Sequence, residues 1–74
     1  MNKINVLVKK ALIRKVMSIK NYVSARDIFL TLCILYPYQS EQFKGSSEIG
    51  QLLRQMTDIK FVRSNKNSPK LYFM

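Results

Sequence analysis

Apolar positions recur along this chain with three different spacings, and each spacing predicts an element. Residues 3–20, KINVLVKKALIRKVMSIK, contain no Gly or Pro and are rich in good helix formers, which predicts a first helix. On a 3.6-residue wheel Ile4, Leu7, Val8, Ala11, Leu12 and Ile19 fall on one broad face, the expected core stripe. Val6, Ile13 and Met17 form a narrower stripe opposite, flanked by Lys9 and Lys20 on one side and by Lys10 and Arg14 on the other. A single core does not account for that second stripe, so it is a candidate partner surface.

A second helix is expected over about 25–35. Ser24 and Asp27 have capping-box spacing, and Pro37 disfavours helical geometry at Tyr36. Ala25, Ile28, Phe29, Leu32 and Leu35 share a face, whereas Leu30 and Ile34 point away from it and join the candidate partner surface. Val23, between the two helices, is a candidate for a brief extra strand. Residues 37–45, PYQSEQFKG, read as an irregular connector anchored by Tyr38 and Phe43.

Gly45 and Ser46 mark the next helix start. In SSEIGQLLRQMTD the residues Ile49, Leu52, Leu53 and Met56 fall at i, i+3, i+4 and i+7, the cleanest amphipathic pattern in the chain, leaving Ser47, Gln51, Arg54 and Gln55 outside. From Lys60 the period shortens. KFVRS and KLYFM are β-branched or aromatic runs around the turn-forming NKNSP, which predicts a two-stranded ribbon. With a loop at 65–69, Phe61, Leu71 and Phe73 share one ribbon face and Val62, Tyr72 and Met74 the other. The expected class is therefore α+β: three helices and a C-terminal two-stranded ribbon, in one domain spanning 1–74.

Composition adds size and charge to this picture. The chain has 74 residues, 47% apolar with two Gly and two Pro, which suits one folded module with a small core. Its formal net charge is +9. Residues 1–26 hold seven Lys or Arg and no acid, the middle is slightly acidic, and the last third is basic again. Such an imbalance repels itself in a compact state, so an anionic partner such as nucleic acid is its usual reason, and a basic surface kept for solubility is the bland one.

No run approaches the roughly 18 uncharged apolar residues a spanning helix needs, so no membrane partner is expected. The basic, acid-free N-terminal segment also has the character of a mitochondrial targeting sequence or of a membrane-surface helix, but Lys15 intrudes on its main apolar face. The single Cys33 lies in the apolar run IFLTLCIL and is expected to fill core in a reducing compartment, the cytoplasm of a bacterium or of a phage-infected host. There is no His, and Asp27, Glu41, Glu48 and Asp58 are isolated in sequence. Metal sites and nucleophile triads lack their usual parts, and no glycine-rich phosphate loop is present. No enzyme, cofactor, metal or small-molecule substrate is expected.

The order helix, short extended piece, helix, connector, amphipathic helix and ribbon resembles the winged-helix family, a helix-turn-helix variant with a β-hairpin wing. The resemblance covers nearly the whole chain and is carried mainly by SSEIGQLLRQMTDIKFVRS followed by KLYF, a pattern found in many bacterial and phage regulators and in small domains of replication proteins. The connector is longer than the tight turn of a standard helix-turn-helix. The loop lacks the Gly common in wings, although Asn65 and Asn67 tolerate left-handed backbone well.

The resemblance implies DNA binding, with the outer face of 46–57 in a major groove. Ser46 and Ser47 would meet a phosphate, and Gln51, Arg54 and Gln55 would meet base edges, Arg suiting guanine and Gln adenine. Arg63, Lys66, Asn67 and Lys70 would lie on or near the wing and reach backbone or minor groove. The implied role is a small regulator or replication accessory factor of a phage or mobile element. The competing expectation is a protein-interaction module, docking on a larger replication or transcription protein or forming a homodimer through Val6, Ile13, Met17, Leu30 and Ile34.

Overall fold

The computed structural model describes residues 4–74; Lys3, where the first helix was expected to begin, lies outside them. Helix α1 (Val6–Ile19) starts where Asn5 caps it, the Asn5 Oδ1 accepting the Val8 N–H at 2.9 Å. Ahead of it Ile4, outside the helix, donates its N–H to Gln42 Oε1 at 2.6 Å. Helix α2 (Ala25–Leu35) opens on the capping box of Ser24 and Asp27 and closes at Tyr36 before Pro37. Pro37 then begins a single helical turn, α3 (Pro37–Ser40), where its fixed φ and missing N–H cost nothing. The connector is thus partly helical, and the described residues form four helices where three were expected. Helix α4 (Ser46–Gln55) and the antiparallel strands β1 (Lys60–Val62) and β2 (Leu71–Phe73) complete an α+β fold whose layout is compatible with a winged helix.

Helix α2 packs against α1, α3 and α4. The core joins Ile28 and Leu32 of α2 to Ile49, Leu52 and Leu53 of α4, with Phe43, Met56, Ile59 and Tyr72 around them.

From α1 this core takes Leu12, Ile13, Val16 and Met17, so the expected core stripe supplies Leu12 while Ile13 and Met17 come from the stripe expected opposite it. Ile13 is 0% and Met17 1% exposed, whereas Leu7 is 74% exposed and Ile19, Val8 and Val6 also face outward. The reason is Lys9. Lys9, Leu12, Ile13, Val16 and Met17 follow the i, i+3, i+4, i+7, i+8 rule, but Lys9 belongs to this inward stripe only because a carboxylate 39 residues away receives it. Read along α1 alone, Lys9 looks like a solvated flank. Ile13 and Met17 are therefore core residues and not partner surface.

On α2 the buried stripe is Ile28, Thr31 and Leu32. Thr31 enters it by donating its hydroxyl to the Asp27 carbonyl at 2.8 Å. Cys33 is accordingly displaced to the exposed side with Leu30 and Ile34, and is not a core filler. Leu35 and Tyr38 are also exposed, leaving Phe43 as the connector's anchor.

The ribbon pairs Lys60 with Phe73, Phe61 with Tyr72 and Val62 with Leu71, one residue out of the expected register. Directly paired residues share a face, so Phe61 lies with Tyr72, their ring centroids 6.2 Å apart, and Val62, Leu71 and Phe73 lie on the other side. Two long-range contacts suit this register. Phe73 stacks on Tyr22 at 5.1 Å, and Val23 forms the expected extra strand contact as a bridge, exchanging backbone hydrogen bonds with Tyr72 at 3.2 and 2.7 Å. Tyr22 has φ +58, a left-handed conformation rare for a bulky residue, placed where the chain turns from α1 into the bridge.

Candidate nucleic-acid interface

Helix α4 has one apolar and one polar face. Ile49, Leu52, Leu53 and its C-cap Met56 are buried, whereas Ser47, Gln51, Arg54 and Gln55 are exposed and Ser46 is half-buried. The N-cap is Gly45 at φ +95, a backbone position that favours glycine, and no side chain caps the helix. Glu48, in the first turn, reaches back to the residue before the cap. Its Oε1 accepts the Lys44 N–H at 2.8 Å and its Oε2 lies 2.6 Å from Lys9 Nζ. Burial pushes the Glu48 pKa upward, but the hydrogen bonds from Lys9 and Lys44 outweigh it and the carboxyl titrates below its ordinary value. The negative charge closest to the start of α4 is thus tied to α1.

The loop between the strands is closed by its own polar side chains. Asn65 Oδ1 accepts the N–H groups of Asn67 at 2.9 Å and Ser68 at 3.0 Å, and the Ser64 hydroxyl donates to Ser68 Oγ at 2.7 Å. Asn65 therefore serves through its side chain. Neither Asn65 nor Asn67 is left-handed, the only non-Gly residue of that kind among the described residues being Tyr22. Arg63, Lys66 and Asn67 are exposed, while Lys70 is half-buried with its Nζ 4.6 Å from the centre of the Phe61 ring.

Where helix and ribbon meet, Arg54, Arg63 and Lys70 line one cleft of about 260 Å³ together with Ser24, Ala25 and Tyr72. Three cations and no carboxylate border it. Of the residues singled out in the sequence, these three are brought together. Gln51 and Gln55 share the exposed face of α4 outside the cleft, Ser46 and Ser47 mark the far end of that helix, and Lys66 and Asn67 occupy the loop. Ser24, Ala25 and Tyr72 were not legible as site residues. The start of α2 lies beside the bridge between Val23 and Tyr72, and the expected register gave no reason to join them.

Among the described residues the acids are mostly committed elsewhere. Asp27 serves its capping box, Glu48 pairs with Lys9, and Asp58 accepts from Arg14 Nε at 2.9 Å and Nη2 at 3.3 Å. The Arg14 hydrogen bonds hold the Asp58 carboxyl below its ordinary range and raise the guanidinium. Arg54, Arg63, Lys66 and Lys70 have no carboxylate partner among the described residues. What this arrangement can do is bind an oxyanion, since a guanidinium fork matches two phosphate or carboxylate oxygens.

Of the residues proposed as a partner surface, Leu30, Ile34 and Val6 are exposed. Among the described residues, no helix is long and apolar enough to cross a membrane. No protein-family model, curated protein or solved structure matches the chain.

Proposed function

We propose that this chain is a winged-helix module that binds nucleic acid, most simply duplex DNA, through α4 and the ribbon loop, in the role of a small regulator or replication accessory factor of a phage or mobile element. The observation that carries the reading is the carboxylate-free cleft formed by Arg54, Arg63 and Lys70 at the junction of helix and ribbon, in a chain of net charge +9. In this reading Gln51 and Gln55 face base edges, Ser46 and Ser47 approach a phosphate at the start of α4, and Lys66 and Asn67 follow the backbone or minor groove. Anisotropy titrations of labelled duplex and single strands at low salt test it. Binding of duplex in the micromolar range or tighter is expected, and no binding to either would refute it.

A second reading is favoured by a separate observation. Leu30 and Ile34 are one helical turn apart and outward-facing, Ile34 78% exposed, with Leu35 and Tyr38 exposed nearby. An apolar row of this kind suits a protein partner or a second copy of the chain. Light scattering across a concentration series separates a homodimer from a monomer.

A further inference from the structure

The cleft at the base of the ribbon has features beyond its three cations. In the first turn of α2 the amides of Ser24 and Asp27 are occupied by the capping box, while those of Ala25 and Arg26 have no hydrogen-bond partner among the described residues. Tyr72 is only 8% exposed, and its hydroxyl bonds to no described residue. No fully buried side-chain nitrogen or oxygen of the described residues lacks a partner, so this hydroxyl keeps an opening to solvent. Tyr72, Arg54 and Lys70 also line a second, neighbouring opening. Three unpaired cations, the free amide of Ala25 and a tyrosine hydroxyl without a described partner on one cleft suit an anionic acceptor.

We propose that this cleft holds one phosphodiester of a nucleic-acid backbone, with Arg54, Arg63 and Lys70 as counter-charges and the Tyr72 hydroxyl as a neutral donor. Arg54 then fixes the register of the complex and reads no base, and discrimination among sequences falls to Gln51 and Gln55. The proposal rests on the nucleic-acid reading above and makes it specific. Asp27 does not line the cleft; its carboxylate accepts the amide of Ser24, which does.

The test titrates the wild type, Arg54→Ala, Arg63→Ala and Tyr72→Phe against two duplexes of unrelated sequence over a salt series. Amide spectra of Ala25 and Arg26 are followed in parallel as inorganic phosphate is added. Each Arg variant is expected to bind both duplexes about tenfold more weakly, with the slope of log affinity on log salt shallower by up to about 0.9. Tyr72→Phe is expected to lose about threefold with the slope unchanged, since it removes a donor and no charge. Phosphate is expected to move the Ala25 and Arg26 amides in the wild type and not in Arg54→Ala. A loss at Arg54 confined to one duplex would make it a base reader and overturn the assignment. Unchanged affinity in both Arg variants would overturn the cleft while leaving nucleic-acid binding intact. Phosphate-sensitive amides in a protein that binds neither duplex nor single strand would overturn the phosphodiester together with the reading beneath it.

Discussion

Lys9 Nζ on α1 lies 2.6 Å from Glu48 Oε2 in the first turn of α4, and the two side chains are only 14% and 20% exposed. The pair admits a lysine to the inner stripe of α1, where its ammonium also sits 5.2 Å from the centre of the Phe43 ring. Replacing Glu48 by Gln is expected to lower unfolding free energy by about 1 kcal/mol, measured by urea denaturation at neutral pH. An unchanged midpoint would mean that the pair contributes nothing.

The same pair and the Arg14–Asp58 pair make stability depend on acid. Both carboxyls titrate below their ordinary values in the folded chain, so their contribution is complete above the unfolded carboxylate pKa of about 4 and is lost as pH falls through the lower folded values. Denaturation midpoints taken from pH 6 down to 2 are expected to fall at the acid end, and less steeply in Glu48→Gln. Equal slopes for the two proteins would contradict the shift at Glu48.

The inward face of α1 has a direct test. Ile13→Ala and Met17→Ala are each expected to cost about 2–5 kcal/mol, as large-to-small changes in a packed core do. Leu7→Ala and Ile19→Ala are expected to stay within about 0.5 kcal/mol. The opposite ranking would restore the face that the sequence pattern alone favours.

Cys33 stands on the exposed side of α2. A thiol reagent is expected to label it fully in the native protein without denaturant and without loss of helical signal. Protection until the chain unfolds would place it in the core.

The ribbon register is open to hydrogen exchange. The Val23 and Tyr72 amides, bonded to each other's carbonyls, are expected to be protected, while that of Lys66 exchanges freely. Fast exchange at Tyr72 would contradict the bridge.

Local signals in the sequence were sufficient wherever a local interaction decides the structure. The capping box at Ser24, the stop before Pro37 and the amphipathic stripe Ile49, Leu52, Leu53 and Met56 all belong to this kind. Lys9 could not be placed, because its inward position depends on a carboxylate from another helix. Cys33 lost its expected place to Thr31, whose hydroxyl is satisfied by its own helix. The register of the ribbon depends on Tyr22 and Val23, far away in sequence, and the Tyr72 edge of the cleft was hidden with it. Arg54, Arg63 and Lys70 were legible as cations, but their meeting in one cleft was not.

The salt dependence of duplex binding tests the central claim most directly. If Arg54, Arg63 and Lys70 together neutralise about one phosphate and Lys66 another, log affinity falls against log salt with a slope of roughly −1.8. A protein that binds no duplex at low salt, or binds it with an affinity indifferent to salt, would contradict the account.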